Sequence, residues 1–248
     1  MGDWMSSFIL KEISVNSNEP TFHVHIQSGP QESLDLGDLA EGWVINLKTG
    51  RPAVVPADPH VFESFLRVIY STLLLEEGGF LLHGCAVVRG DGAVVGSGIS
   101  GSGKSTLSGF AEIGTVLTDE LVAVRRVDKK DIPSPLMGEG GVRVGGVWQA
   151  FATPFWGTLT PQTPVRISSP ISVLAFLHKS SSSSVKRLSY GESLKRIMGN
   201  VVLYQQDSEL ADHALEACAS FVDEVPCVEW EFPKKPSAWV EFESRWHE

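Results

Sequence analysis

Apolar residues change their spacing twice along this chain. Residues 1–56 carry short β-type runs at Phe8–Val15, Thr21–Gln27 and Trp43–Leu47, the last turning at Thr49-Gly50 into Ala53–Val55. From Asp58 the period becomes helical. Val61, Phe62, Phe65, Leu66, Ile69, Leu73 and Leu74 recur three or four apart and predict one amphipathic helix to about Glu76, stopped by Gly78 and Gly79. Strand-like apolar runs then return. Phe80–Val88 and Ala93–Gly96 are separated by Arg89-Gly90-Asp91-Gly92, whose glycines suit a tight turn, so an antiparallel hairpin is expected.

Beyond the hairpin, Leu107, Phe110, Ala111 and Ile113 predict a short helix with one apolar face. Strands are expected at Leu121–Val124, Pro170–Leu177 and Cys227–Phe232. Helices are expected over Glu192–Leu203 and Ser208–Phe221, the second capped at Asp207-Ser208 and presenting Leu210, Ala214, Leu215 and Cys218 on one face. The five serines Ser180–Ser184 read as a loop. Strands and helices interleave, which predicts a mixed α/β fold: a β-rich region over 1–56 and one larger domain over 57–248, without repeats.

Composition narrows the class. At 248 residues and 42% hydrophobic content the chain has a large core to fill. A formal charge of −10 disfavours a nucleic-acid partner, because binding a phosphate backbone needs a concentrated basic surface. No apolar stretch reaches 18 residues, and the first residues lack the charged and apolar regions of a secretion signal, so no membrane partner and a cytoplasmic location are expected. Cys85, Cys218 and Cys227 are odd in number and lack C-x-x-C spacing, which fits a reducing compartment and argues against structural zinc.

The chemistry is concentrated after the hairpin. Gly98 to Ser105 read Gly-Ile-Ser-Gly-Ser-Gly-Lys-Ser, a complete G-x-x-x-x-G-K-[ST] phosphate-binding loop followed by Thr106. Glycines at Gly98, Gly101 and Gly103 let backbone N–H groups turn inward around phosphate, together with those of Ser100 and Ser102. Lys104 reaches the outer phosphates, and the Ser105 hydroxyl is placed to ligate magnesium. The ligand expected is ATP or GTP with Mg2+. Soon after, Asp119 and Glu120 end an apolar segment. One of them suits magnesium, directly or through water, and the other suits the proton of an acceptor hydroxyl.

In this order and spacing, His83-Gly84, the hairpin, Gly98–Ser105 and Asp119-Glu120 resemble the core of the HPr kinase/phosphorylase family, whose nucleotide-binding fold resembles that of phosphoenolpyruvate carboxykinase. The resemblance covers about Leu81 to Val124. It implies a P-loop domain with a mixed sheet in which the loop follows antiparallel strands. It implies Lys104 on the phosphates, Ser105 and Asp119 on the metal, Glu120 as the proton acceptor and His83 as an active-site histidine. An imidazole N–H near the γ-phosphate would stabilise charge on the transferred group.

Departures from that family also matter. No Glu-x-Arg-Gly-x-Gly segment follows the acidic pair, which argues against the reverse, phosphorylase reaction. Instead the chain carries Thr153-Pro154-Phe155-Trp156-Gly157 and a Pro-led strand, which resemble a divergent branch of HPr-kinase-like proteins, including kinases that tailor lasso peptides. Residues Trp148–Trp156 either line the acceptor site or cap the core. Arg125, Arg126, Lys129, Lys130 and Arg143 are either phosphate or carboxylate clamps or simply solvated charges, and His23 with His25, lacking a third ligand, read as a solvated strand face rather than a metal pair.

The expected activity is transfer of a γ-phosphate to a Ser/Thr hydroxyl of a peptide or protein, or to a small hydroxyl substrate. A nucleotide-binding regulator without turnover is the alternative. The resemblance allows homo-oligomers. No Asn-Lys-x-Asp or Leu-Ser-Gly-Gly-Gln element occurs, which disfavours a GTPase or an ABC-type ATPase.

Overall fold

A computed structural model describes residues 26–28, 43–46, 52–55, 59–127, 146–159, 167–204 and 208–246. The expected strand at Phe8–Val15, the His23 and His25 pair, and Lys129, Lys130 and Arg143 lie outside those residues. The chain divides into two units, Met1–Ile69 and Tyr70–Glu248. In the first, β1 (Ile26–Ser28), β2 (Trp43–Asn46) and β3 (Pro52–Val55) form an antiparallel sheet in sequence order. Helix α1 (Pro59–Glu76) carries the chain onward and ends where its spacing predicts, before Gly78 at a φ of 69°.

The second unit begins with the hairpin of β4 (Phe80–Arg89) and β5 (Gly92–Ser97), paired antiparallel from Gly84↔Ser97 to Arg89↔Gly92. There follow α2 (Lys104–Gly109), β6 (Val116–Thr118), β7 (Leu121–Val127), β8 (Val147–Phe151) and β9 (Ser168–Lys179). After β10 (Ser184–Arg187) come α3 (Tyr190–Met198), α4 (Ser208–Glu224), β11 (Cys227–Phe232) and α5 (Ala238–Trp246).

The result is a mixed α/β fold around an eight-stranded, mostly antiparallel sheet of order β10-β11-β9-β5-β4-β7-β8, with β6 on β4. Among the described residues only the β5–β9 and β9–β11 pairs are parallel. Strand β8 also pairs with β9, so the ladder through β5, β4 and β7 returns to β9. Closure works because two strands change partner along their length. Strand β4 pairs with β7 over Phe80–His83 and with β5 from Gly84, and β9 pairs with β8 over Ser168–Pro170 and with β5 from Ile171.

Alternation along the central strands fills two cores. Phe80, Leu82 and Ala86 of β4 join Val95, Leu174 and Phe176 on the side of Ile197 from α3 and Ala214, Cys218 and Phe221 from α4. Phe80, Trp148 and Phe221 meet there edge-on or tilted, at centroid distances of 5.3–6.1 Å. Cys85 and Val87 of β4 join Val94, Val173, Ala175 and Leu177 on the other side, with Leu107 of α2 and Trp230, Phe232, Trp239 and Phe242. The Trp239 indole N–H donates to the Leu107 carbonyl at 3.0 Å, tying α5 to α2. Among the described residues no helix is long and apolar enough to cross a membrane.

Three local expectations are corrected. The helix expected to run to Leu203 ends at Met198, because Gly199 interrupts it and the β-branched Val201 and Val202 extend along β4. The His83 N–H bonds the Asn200 carbonyl and the Val202 N–H bonds the Leu81 carbonyl there. Ile113, expected on the buried face of α2, is 87% exposed because that helix stops at Gly109. Trp148 belongs to strand β8 and the core, so the loop of the Trp148–Trp156 segment begins only after Phe151.

Two outcomes follow from this packing. Trp239→Phe keeps an aromatic side chain but loses both the bond to Leu107 and the volume of the indole's second ring in the core, which together should lower the unfolding free energy in urea by about 2–4 kcal/mol. Burial raises the thiols from their ordinary value of 9.0, to about 11 for Cys85 and Cys227 and about 12 for Cys218. Native protein should therefore resist iodoacetamide until unfolded. Because the folded values lie above the unfolded one, the thiols' share of stability is complete below pH 9 and fades as pH rises through about 11 for Cys85 and Cys227 and about 12 for Cys218. A urea series across that range should show it.

Candidate phosphate-binding site

Strand β5 ends at Ser97, whose fully buried hydroxyl donates to the His83 carbonyl at 2.9 Å and fixes where the following loop starts. The chain then turns through Gly98, Gly101 and Gly103, with φ of 150°, 81° and 117°. These values disfavour any residue with a Cβ. At Gly103 sterics add to the backbone requirement, since a Cβ would stand 2.4 Å from Phe232 Cζ. The loop is thus seated on the aromatic cluster beneath it. Ser102 donates its N–H to the Ile99 carbonyl, while its hydroxyl is buried with no partner among the described residues. Ile99, Ser100 and Gly101 are exposed at the tip.

Lys104 opens α2 and is only 8% exposed. Its ammonium donates to the carbonyls of Gly98 at 2.7 Å and Ile99 at 3.1 Å, folding over the loop's own backbone. Burial lowers its pKa, while attraction to Cys85 and to the Glu120 carboxylate works the other way. Ser105 and Thr106 follow, half-buried, on the first turn of α2.

The acidic pair comes to the same end of the sheet. His83 pairs with Leu121, the Gly84 N–H donates to the Glu120 carbonyl at 2.9 Å, and Gly84 faces Ser97 across the hairpin. Alternation along β4 sets His83 on the α2 side, with Cys85 and Val87. Glu120 is half-buried and attracts Lys104. Asp119 is 2% exposed, and its Oδ1 accepts from Gly157 N–H at 2.8 Å while Oδ2 accepts from Thr158 and Leu159 N–H at 3.0 and 3.1 Å.

The structure therefore brings together His83, Gly98 to Thr106, Asp119 and Glu120, all named from the sequence. It does not bring Arg126 with them, since that side chain pairs with Glu224 at 3.0 Å. Several contributors were not singled out: Ser97, Thr118, Thr158, Leu159, Phe232 and Trp239. The hydroxyls of Thr118 and Thr153 were the available signal, because a Thr beside a charged turn often bonds main chain.

Among the described residues no group of three or more His, Cys, Asp or Glu side chains could hold a metal. A magnesium here would draw ligands from Ser105 and from phosphate oxygens, as its reluctance to dehydrate and its taste for phosphate predict. The loop geometry fits such a ligand: the positive-φ glycines, the partnerless Ser102 hydroxyl and the inward Lys104 ammonium all suit an anion. No family model and no curated protein matches the chain.

Gly103→Ala and Gly101→Ala separate the two demands on the loop. Both incur the strain of a positive φ, on the order of 1–3 kcal/mol. Only Gly103→Ala also meets Phe232, whereas a Cβ at Gly101 has nothing within 4 Å. Thermal unfolding should therefore show the larger loss for Gly103→Ala.

Proposed function

We propose that the chain is a magnesium-dependent phosphotransferase of the HPr-kinase-like kind, moving the γ-phosphate of ATP or GTP to a Ser/Thr hydroxyl of a peptide or protein. The observation that carries this is the convergence of Lys104, set in a glycine cradle, with the Glu120 carboxylate at one end of β4 and β5. The phosphoenolpyruvate-carboxykinase type of nucleotide fold is part of the proposal. It is supported by the strand ahead of the loop, β5, being antiparallel to β4 and parallel to β9.

The chain's own groups divide the work. Backbone N–H groups of Gly98–Ser105 and the Lys104 ammonium orient the triphosphate, with Lys104 exchanging its bonds to the Gly98 and Ile99 carbonyls for phosphate oxygens. Ser105 would hold the magnesium, which when bound neutralises charge on the phosphates. Asp119, the other expected ligand, already accepts three main-chain N–H bonds. Glu120 accepts the proton of the attacking hydroxyl as the new oxygen–phosphorus bond forms and the bond to the nucleoside diphosphate breaks. His83 offers an N–H donor on the α2 side. Buried thiols and a formal net charge of −10 fit a cytoplasmic enzyme acting on a neutral or basic peptide.

With γ-labelled ATP, Mg2+ and a library of Ser/Thr peptides, label should appear on peptide. Release of label only as free phosphate counts against the kinase. Lys104→Ala should abolish nucleotide binding in calorimetry. Glu120→Gln should leave binding intact and slow transfer by about 10²–10⁴-fold, and wild-type turnover in that variant would remove Glu120 from the role.

A further inference from the structure

Two stretches far apart in sequence are laced together at the acidic turn. The Thr118 hydroxyl donates to the Phe155 carbonyl at 2.7 Å, and the Thr153 hydroxyl to the Leu121 carbonyl at 2.6 Å. Between them, the Asp119 carboxylate takes the N–H groups of Gly157, Thr158 and Leu159. A carboxylate offers about four acceptor positions, and bonds to a charged acceptor are stronger than neutral ones. Asp119 and Thr118 are almost fully buried, so water does not compete for these bonds.

Gly157 sits close to both acids. Its N–H is bonded to Asp119, and a Cβ there would lie 3.3 Å from Asp119 Oδ2 and 3.5 Å from Glu120 Cβ, so a methyl group would fill the gap between this backbone and the acidic residues. At its far end the segment reaches the phosphate-loop helix. Leu159 Cδ2 is 3.8 Å from where a Cβ of Gly109 would stand, and Trp156 and Leu159 pack on the cluster holding Cys85 and Leu107. Phe155 is fully buried and meets the Tyr70 ring edge-on at 5.3 Å. The segment thus spans from the acids to the helix that begins at Lys104.

We infer that Asp119 is a positioning residue and not a metal ligand: its carboxylate clamps the main chain of Gly157–Leu159, so that Thr153–Leu159 forms a fixed wall on the acceptor side of Glu120. What the wall borders rests on the phosphotransferase reading above; the clamp itself does not. The adjacent acids then have separate tasks. Asp119 faces backbone donors and shapes the site, while Glu120 faces Lys104 and serves the acceptor hydroxyl. A loosened wall admits water and misplaces the acceptor, which lowers turnover and leaves nucleotide affinity alone.

The test uses the full chain, Mg-ATP and Asp119→Asn, whose side-chain oxygen cannot satisfy three N–H donors. Calorimetry should find that Mg2+ still tightens ATP binding, with Kd within about threefold of wild type, while amide exchange of Gly157–Leu159 speeds by about tenfold or more. In steady-state transfer from γ-labelled Mg-ATP to the Ser/Thr peptide library, KM for ATP should hold and kcat should fall by about tenfold or more, the pattern of a site altered beyond the nucleotide. Loss of the Mg2+ effect with unchanged exchange at Gly157–Leu159 would overturn the inference in favour of metal ligation.

If Asp119→Asn fails to fold, Thr118→Val keeps both carboxylates and removes one lace, together with the oxygen that accepts the Glu120 N–H at 3.3 Å. It should speed exchange across Thr153–Leu159 and lower kcat for peptide transfer at constant KM, and faster exchange with wild-type kcat and KM would show that the segment is no wall. Should wild type bind no Mg-ATP at all, the phosphotransferase reading fails by itself. The exchange measurement on Asp119→Asn still decides the clamp, which is refuted if protection at Gly157–Leu159 is unaltered.

Discussion

The close approach of β4 and β5 governs everything around it. At Gly84 a Cβ would lie 2.7 Å from the Gly96 carbonyl oxygen, and at Gly96 a Cβ would lie 2.8 Å from Leu177 and 2.9 Å from Cys85. Glycine on both strands lets the hairpin backbones and the Leu177 side chain of β9 approach closely. The same point is where β4 exchanges β7 for β5 as partner. Because the change falls at His83-Gly84, the start of the phosphate loop and the acidic turn are both bonded to adjacent residues of one strand.

Support for the loop comes from far along the chain. Phe232 ends β11 beneath Gly103, and Trp239 of α5 bonds the carbonyl of Leu107 in α2. Trp230 links them, with centroids 5.3 Å from Phe232, 5.3 Å from Trp239 and 4.2 Å from Phe242. A helix of six residues has little stability of its own, so tertiary packing of this kind is what holds α2 in place. The C-terminal segments therefore act as the floor of the candidate site, although none of their residues carries its chemistry.

Charge is arranged with the same economy. Lys104 sits largely out of water, which lowers its pKa, and the loop carbonyls and the Glu120 carboxylate offset that penalty. Asp119 is buried deeper still and is compensated by main-chain N–H groups rather than by a cation. Two neighbouring carboxylates can both be accommodated because they face different partners. A buried carboxylate without such donors would be far costlier.

The sequence by itself determined the hairpin, the glycine-rich loop, the adjacent acids and most helices and strands, since each is written in local pattern: a near-continuous apolar run in Phe80–Val88, helical spacing from Asp58, and glycines where the backbone turns. Boundaries such as the end of α3 were less legible, because Val201 and Val202 are drawn onto β4 by a pairing that their local sequence does not announce. Only the tertiary structure decided that Asp119 meets the main chain of Gly157–Leu159, that Phe232 lies under Gly103, and that the ladder from β9 returns to β9. The physical reason is separation along the chain. A residue's propensity reports on its neighbours within a few positions, whereas a hydrogen bond between residues 38 apart exists only after the core has set both backbones in place.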